Sequence, residues 1–281
     1  MKIGLFGINY GVITTPEAIV KVSKAAEAAG LDSVWAPEHV VLPDPRVPPS
    51  PSDPQTPLLD PLVALGYVAA HTTRLRLGTG IIILPQRNPL ILAKELSSVD
   101  VLSNGRLIFG LGVGYLEPEF RALGAPFEQR GAVTDESIEV LKTLWTMGKP
   151  EYHGKFFSFS GIDAQPRPVQ TPYPPIVVGG RSRPAAVRAA RRGNGWYGFF
   201  TDVEKTKRII GWIHGHIAEG ERPAELGGIE ISVTPPLGPV TTDTVHGYED
   251  IGVHRLIPWF ETETLDEVLR SVDQLGALVS N

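Results

Sequence analysis

The fold of this chain is decided by residues 73–114, which read TRLRLGTGIIILPQRNPLILAKELSSVDVLSNGRLIFGLGVG. Residues 75–84 form an apolar, β-branched run, which is typical of a buried parallel strand. Residues 90–102 repeat apolar side chains at helical spacing, and the Asn-Gly pair that follows is a common helix end. Residues 106–114 form a second apolar run. The stretch therefore predicts a strand, a helix and a second strand in unbroken succession.

Glycine interrupts both predicted strands close to their carboxyl ends. Gly78 and Gly80 break the first strand, and Gly110, Gly112 and Gly114 occupy alternate positions of the second. Glycine inside a strand often marks a bulge or the close approach of another group to the backbone. We expect a flat ring or a phosphate to approach the second strand, because no Cβ atom would obstruct it.

The same alternation of strands and helices extends along the chain. Further strands, each followed by a helix, are predicted near residues 3–8, 33–36, 176–178, 195–200, 229–233 and 255–259. Alternation of this kind is typical of parallel βαβ units. Together they make eight units, and a (β/α)8 barrel typically needs about 250 residues. We predict one α/β domain over residues 1–281, folded as a (β/α)8 TIM barrel.

Two irregular segments interrupt the predicted barrel. Residues 43–61 follow the second strand and contain eight prolines. This composition suits either a stiff surface loop or a lid, and the position on the catalytic face of a barrel favours the lid. Residues 148–175 form an insertion before the fifth strand, in which YHGKFF at 152–157 indicates a small hairpin.

Composition argues against several classes of function. The formal net charge is −5 and no basic stripe interleaved with aromatic residues is present, so we expect no nucleic-acid partner. Without cysteine there is no disulfide, thiolate metal site or cysteine nucleophile. The first strand follows Met1 and Lys2 directly, and no apolar run reaches membrane length. We therefore expect a cytoplasmic protein that does not enter a membrane.

Two further sequence patterns are only weak indications of a binding site. His214 and His216 suggest a metal pair, but residues two apart on a predicted helix do not face each other, so we predict no metal site. The GxGxG at 110–114 lacks the third glycine that opens a helix in a dinucleotide-binding fingerprint.

Six short segments resemble the bacterial luciferase-like oxidoreductases, and more closely the branch that depends on the deazaflavin coenzyme F420. In chain order they are VWAPEH at 34–39, LGTGI at 77–81, LSNGRL at 102–107, GLGVG at 110–114, PRPVQ at 166–170 and PPIVVGGRS at 174–182. The resemblance covers nearly the whole chain in the right order and is weakest in its last third. It implies a luciferase-like TIM barrel that binds a flavin or a deazaflavin.

The resemblance also implies how the cofactor ring is held. It places a bulge at the end of the third strand, with a cis peptide at Gly80-Ile81 that supports one face of the ring. Thr79 precedes this bulge and is expected to line the cofactor site. Gly112 and Gly114 are expected to leave space beside the ring.

The phosphate of the cofactor is placed by the resemblance near the ends of the fifth and sixth strands. The residues there are Gly179, Gly180, Arg181 and Ser182, with Thr201 as a further neighbour. A helix N-terminus opened by glycines suits an anion, because its N–H groups point outward and the backbone can approach closely. Ser182 could equally be only the N-cap of the helix.

Glu38 and His39 lie at the end of the second strand, where an acid and an imidazole can transfer protons near neutral pH. The alternatives are a salt bridge or cap for Glu38 and a place under the lid for His39. The resemblance implies a carboxylate–histidine pair beside the deazaflavin, often as Asp-His. We predict that Glu38 and His39 are catalytic and that His39 also contacts the cofactor.

Tyr115 follows the glycines of the fourth strand, at a position where some relatives carry a glutamate. We predict a catalytic role for Tyr115 as a hydrogen-bond donor and stacking surface, and we do not expect a sugar-phosphate substrate. Glu117 and Glu119 lie nearby, and we expect them on a surface helix.

The function that the resemblance implies is transfer of a hydride between C5 of F420 and a small organic substrate. A first alternative is a two-component monooxygenase that uses reduced FMN and oxygen. A second is a flavin- or deazaflavin-binding barrel without catalysis, and a barrel enzyme for a phosphorylated metabolite is supported only by the phosphate site. Relatives imply a homodimer, and a separate reductase or dehydrogenase would supply reduced cofactor.

Overall fold

The computed structural model describes residues 1–279 as a closed barrel of eight parallel strands with helices around it. Each strand pairs with the next along the chain, and the last pairs with the first, which closes the ring. The predicted TIM barrel is confirmed. The barrel strands are β1 (Lys2–Phe6), β2 (Ser33–Ala36), β3 (Arg76–Thr79), β4 (Leu107–Gly112), β5 (Ile176–Gly179), β6 (Gly195–Phe199), β7 (Glu230–Thr234) and β8 (Arg255–Leu256).

Most helices lie where the sequence predicts them. Those that follow Thr15, Asp60 and Asn88 begin with proline, and each of these side chains accepts a backbone N–H bond in the first turn. Over residues 1–279 the helices are α1 (Pro16–Ala28), α2 (Pro61–His71), α3 (Pro89–Leu102), α4 (Glu117–Ala122), α5 (Arg130–Thr146), α6 (Arg183–Arg192), α7 (Val203–Ala218), α8 (Thr242–Glu249) and α9 (Leu265–Val279). Among them, none is long and apolar enough to cross a membrane.

The barrel interior is a packed core and not a pore. Most of the apolar core lies between the strands and the helices, while a second cluster fills the barrel with Phe6, Trp35, Ile108, Val177, Tyr197 and Ile257. The glycine of β3, Gly78, leaves the room that the Trp35 ring occupies. Large aromatic side chains therefore fill the barrel interior and close it beneath the carboxyl ends of the strands.

The two irregular segments are both ordered against the barrel. The insertion before β5 contains the predicted hairpin, with Tyr152–His153 paired antiparallel to Ser158–Phe159. Glu136 of α5 accepts hydrogen bonds from three backbone N–H groups of the hairpin turn, which fastens it to this helix. The proline-rich loop leaves the carboxyl end of β2 and contributes to the catalytic face.

Candidate active site

The carboxyl ends of β2 to β5 form one side of the barrel mouth, and β3 contains its main irregularity. Strand pairing stops at Thr79 and resumes at Ile82–Ile83, which pairs with the last residues of β4. The Gly80–Ile81 peptide between these segments is cis, as predicted. The Ile81 side chain is partly exposed at the mouth and packs on the aromatic cluster inside the barrel.

The glycines around this bulge make room for protein side chains. A Cβ on Gly112 would lie 2.7 Å from Cδ1 of Ile81, and one on Gly179 would lie 2.9 Å from its Cγ2. A Cβ on Gly114 would meet Phe120 and Ile83 instead. The space that we predicted beside the ring at Gly112 and Gly114 is therefore filled, and Gly112 and Gly179 hold Ile81 in place.

Thr79 is also committed to the protein interior. Its hydroxyl donates to the carbonyl of Gly110 at 2.6 Å and accepts from the N–H of the same residue at 2.8 Å, and its side chain is fully buried. These bonds join β3 to β4 below the bulge. Thr79 therefore has a structural role, and the predicted contact of its side chain with the cofactor is wrong.

His39 is held by Glu119, a residue that the sequence analysis placed on a surface helix. Glu119 is 1% exposed, and its Oε2 lies 3.0 Å from Nδ1 of His39. Its other oxygen accepts the backbone N–H groups of Val40 at 2.6 Å and Val41 at 3.4 Å. The expectation for Glu119 was wrong, because α4 turns this carboxylate inward, whereas Glu117 stays exposed beside Arg121.

The charge state of Glu119 fixes the tautomer of His39. Burial disfavours the carboxylate, but the hydrogen bonds from His39 and Val40 and the attraction of His39 outweigh that effect and hold the pKa of Glu119 below its ordinary value. An ionised carboxylate only accepts hydrogen bonds, so Nδ1 of His39 carries a proton. Nε2 is then the ring atom that exchanges protons at the mouth.

Tyr115 lies on the other side of the imidazole. Its hydroxyl is 3.5 Å from Nε2 of His39, and the two rings meet edge to face. Burial and the negative charge of Glu119 raise the pKa of Tyr115, while the positive charge of Arg181 opposes this rise. Tyr115 is therefore a protonated phenol near neutral pH. We refer to His39, Tyr115, Glu119 and Arg181 as the polar wall.

Glu38 does not form a pair with His39, although it is the preceding residue. It is buried, and its carboxylate accepts the N–H of Ile83 at 2.5 Å and the guanidinium of Arg87, which also binds Asp60 at 2.6 Å. Burial raises the pKa of Glu38, with Arg87 opposing the rise. Glu38 thus fixes the loop after β3. Of the two roles considered for Glu38, the salt bridge is confirmed, and the predicted role in proton transfer is wrong.

The proline-rich loop is fastened at both of its ends. At its start, Glu119 binds the N–H groups of Val40 and Val41. Nδ2 of Asn9 donates to the carbonyl of Pro37, before the loop, at 2.9 Å and to the carbonyl of Leu59, near the end of the loop, at 2.6 Å. The loop therefore connects the β1 side of the mouth with the β4 side, although its role as a lid stays a prediction.

The segment predicted to bind phosphate forms the N-terminus of α6. Ser182 is its N-cap, with its hydroxyl accepting the N–H of Ala185 at 3.4 Å. Gly180 has φ +133°, and a Cβ there would lie 2.8 Å from the Cβ of Ala185. Arg181 is exposed next to this helix end. The N-cap role of Ser182 is confirmed, and the helix end and the guanidinium together suit an anion.

Thr201 does not join this segment. Its side chain is fully buried, its hydroxyl accepts from Thr206 at 3.0 Å, and its carbonyl accepts the Tyr248 hydroxyl at 2.6 Å. These contacts join the end of β6 to α7 and α8. Thr201 is a structural residue, and the predicted contact with a phosphate is wrong for its side chain.

Opposite the polar wall, the ends of β6 and β8 carry an aromatic platform, which the sequence analysis did not identify. It consists of Phe199, Phe200 and Trp259, all partly exposed. Phe200 stacks on Phe199 with ring centroids 4.1 Å apart and planes 23° apart, and on Trp259 at 5.5 Å and 15°. Phe199 and Trp259 rest in turn on Phe6 in the barrel.

His214 and His216 both lie on α7, as expected, and His216 is part of a group with two glutamates. Its ligand atoms and those of Glu219 and Glu221 lie within 4.8 Å of one another. Glu221 already binds the guanidinium of Arg191 and pairs with His216 at 2.8 Å. The group is a surface ion-pair network among the described residues, and the absence of a metal site stays a prediction.

Glu119 could have been found from the sequence by one signal. Pro118 marks a helix start directly after the fourth strand, because proline is favoured in the first turn. A helix that begins at the carboxyl end of a barrel strand lies on the catalytic face. The bulky Phe120 next to Glu119 also indicates a buried side of that helix.

The amino-acid sequence is similar to one family along most of its length. Residues 6–260 match the family described as luciferase-like monooxygenase. An uncharacterized protein of Mycobacterium tuberculosis is 31% identical over 273 residues, which cover 92% of this chain and 92% of that protein. The FMNH2-dependent dimethylsulfone monooxygenase of Pseudomonas putida is 31% identical over 143 residues, which cover 50% of this chain and 39% of the enzyme.

Solved structures give the same fold. An F420-dependent secondary alcohol dehydrogenase in complex with an F420-acetone adduct superposes with a TM-score of 0.82 at 14% identity, covering 99% of this chain and 98% of that one. This likeness concerns the fold, whereas the family match extends over most of the sequence. The chain therefore belongs to the luciferase-like monooxygenase family of oxidoreductases.

Proposed function

We propose that this protein is an F420-dependent oxidoreductase that exchanges a hydride and a proton with a small organic substrate, such as a carbonyl compound and its alcohol. The observation that carries the proposal is the Glu119–His39 pair, with 3.0 Å between carboxylate and Nδ1, at the mouth beside Ile81. Hydride transfer to a carbonyl carbon requires a proton on the oxygen, and Nε2 of His39 supplies it.

The residues at the mouth fit a flat ring that carries a phosphate. Ile81 offers a partly exposed apolar surface, held between Gly112 and Gly179. Gly180 lets the chain pack closely against Ala185 at the start of α6, where the helix N-terminus points outward and Arg181 adds a positive charge. We propose that Gly80, Ile81 and His39 contact the ring, and that residues 179–182 contact the phosphate. When bound, F420 supplies the hydride at its C5 atom.

The chain's own residues handle the proton. Nδ1 of His39 keeps its proton toward Glu119 in either direction of the reaction, so the proton exchanged with the substrate oxygen is that on Nε2. Tyr115 donates a hydrogen bond toward the same atom or toward the substrate oxygen. Glu119 orients the imidazole and touches no reacting atom, so it is a positioning residue.

Binding of F420 and of FMN to the purified protein, each followed by fluorescence quenching, tests the proposal first. We expect F420 to bind at least ten-fold more tightly than FMN. Anaerobic oxidation of reduced F420 by a panel of ketones then tests catalysis, with His39→Asn as the inactive control. Tight binding of FMN without binding of F420 would overturn the proposal.

The second candidate is a monooxygenase that uses reduced FMN and oxygen. It is favoured by the FMNH2-dependent dimethylsulfone monooxygenase among the relatives. This candidate predicts that turnover requires oxygen and a separate reductase, whereas the hydride reaction proceeds without oxygen. A binding protein without catalysis predicts bound cofactor, no turnover under either condition, and no effect of His39→Asn on any assay. A homodimer remains our expectation for either enzyme.

A further inference from the structure

The aromatic platform has no part in the proton transfer, and we propose that it selects the substrate. The substrate class that fits it is a planar, uncharged aromatic carbonyl compound or the corresponding alcohol. The inference rests on the proposed function, because it names the molecule that would exchange a hydride and a proton at the polar wall. Phe199, Phe200 and Trp259 follow β6 and β8, whereas the polar wall follows β2, β4 and β5.

The geometry of the platform favours a flat partner. The planes of Phe200 and Trp259 differ by 15°, and those of Phe200 and Phe199 by 23°. The centroids of Phe199 and Trp259 lie 6.2 Å apart, so these two rings do not lie on opposite faces of Phe200. The other face of Phe200 is flat, and a planar ring stacks on it with all of its atoms, while a puckered ring of the same size makes fewer contacts. The platform therefore distinguishes ligands by their planarity.

The backbone of Phe200 indicates that its position is specified by the surrounding structure. Its φ angle is +49°, in the left-handed region that side-chain-bearing residues rarely adopt. Such residues persist where their surroundings hold them, and they cluster at binding sites. Stacking on Phe199 and Trp259 holds this one with its ring partly exposed at the mouth.

The rings on which the platform rests favour an uncharged ligand, whereas the charged Glu261, Glu267 and Arg270 line a surface pocket that Trp259 also borders. The ring contacts of the platform are with Phe6, Tyr10 and Tyr197, which carry no charge. Burial raises the pKa of Tyr197 far above neutrality, and its hydroxyl bonds to Thr234 at 2.6 Å. A charged ring would lose hydration here without gaining an ion pair from these residues.

Calorimetric titration with acetophenone and with cyclohexyl methyl ketone tests the inference on the full chain without cofactor. The two ketones share an acetyl group and differ in the planarity of the ring. We expect the wild type to bind acetophenone more tightly. Phe200→Leu should weaken acetophenone binding by about two- to ten-fold and leave cyclohexyl methyl ketone within about two-fold. Leucine bears the same Cβ, so the backbone conformation is equally demanding in both proteins.

Phe156→Leu is the matched control, because this ring lies in the hairpin turn beside Lys155, and it should change neither affinity. If Phe200→Leu does not fold, as judged by circular dichroism, Trp259→Leu makes the same test. Equal affinity of the wild type for both ketones, or an equal loss for both in the variant, would overturn the inference.

Binding of F420 to the same variant separates this inference from the proposed function. A weakened affinity for F420 in Phe200→Leu would show that the platform holds the cofactor, which overturns the inference and leaves the proposed function intact. A wild type that prefers acetophenone but binds no F420 would refute the proposed function while supporting the planar ligand.

Discussion

The two halves of the barrel mouth differ in the forces that hold their side chains. In the polar wall, His39 is fixed by a hydrogen bond of 3.0 Å to a buried carboxylate, and Glu119 is fixed by backbone N–H groups. In the aromatic platform, Phe200 is fixed by ring stacking on both of its partners. Hydrogen bonds are directional, whereas stacking sets a plane and tolerates displacement within it.

This difference suits the two halves to different tasks. A proton must leave and reach a defined atom, and the Glu119 carboxylate determines which nitrogen of His39 that atom is. A substrate ring needs a surface of the right shape, which a stacked platform supplies without fixing a single orientation. Substitutions of His39 and Glu119 in the polar wall should therefore change kcat, and substitutions in the platform should change substrate affinity.

His39→Asn should have the largest effect. It removes the exchangeable Nε2 atom, and loss of a general acid or base typically costs about 10²- to 10⁴-fold in rate. We expect kcat to fall in that range while the substrate KM changes by less than about three-fold. Steady-state kinetics under anaerobic conditions measure both constants. A large rise in KM with unchanged kcat would show that His39 only binds the substrate. The polar wall and the aromatic platform would then not differ in function.

Glu119→Gln should have the second largest effect. The glutamine amide can turn its NH2 group toward Nδ1 of His39, which permits the wrong tautomer. In metal sites, the partners that orient a histidine are typically worth about 10- to 100-fold, and we expect kcat to fall by a similar amount here. The pH profile of kcat should shift as well, which a merely structural residue would not cause. Glu117→Gln, on the exposed side of α4, is the control and should behave as wild type.

The stability of the polar wall should depend on pH through Glu119. Its pKa is lower in the folded protein than the ordinary value of 4.5, so its contribution is fully present above that value and is lost as pH falls through the folded pKa. We expect Glu119→Gln to lower the free energy of unfolding by about 2 kcal/mol at pH 7.

Urea denaturation of both proteins at several pH values between 3 and 7 measures this difference. The gap between wild type and Glu119→Gln should narrow toward acid pH, because protonation makes the wild-type side chain neutral as well. A gap that is constant over the whole range would mean that the carboxylate charge contributes nothing to the stability of this wall.

The halves also differ in how far the sequence predicted them. The barrel and the cis peptide at Gly80–Ile81 followed from local strand patterns and a resemblance carried by contiguous segments. His39 belongs to such a segment and Tyr115 directly follows another, and the structure brings the two side chains together at 3.5 Å. Glu38 precedes His39 in the chain, but successive residues diverge after a strand, and its carboxylate lies against Arg87 instead.

The aromatic platform leaves no local signal. Phe199 and Phe200 are separated from Trp259 by about sixty positions, and only closure of the barrel brings these rings together. The glycines gave a local signal that could not be interpreted fully. A glycine in a strand indicates that some group approaches the backbone closely, but it does not identify that group. At Gly112 the approaching group is Ile81 of the same chain. Both the aromatic platform and the contact at Gly112 depend on side-chain packing between strands that are distant in the sequence.

Arg181→Ala should have the smallest effect. This variant tests whether Arg181, an exposed member of the polar wall, contacts the cofactor phosphate. The guanidinium is exposed, so its attraction for a phosphate is screened by solvent and salt. We expect cofactor affinity to fall by about three- to ten-fold at low salt, with a smaller loss at high salt, and substrate affinity to stay unchanged. Arg121→Ala removes another exposed positive charge, on α4, and should leave cofactor affinity unchanged. Equal losses in both variants would indicate a general effect of net charge and would exclude a specific contact between Arg181 and the phosphate.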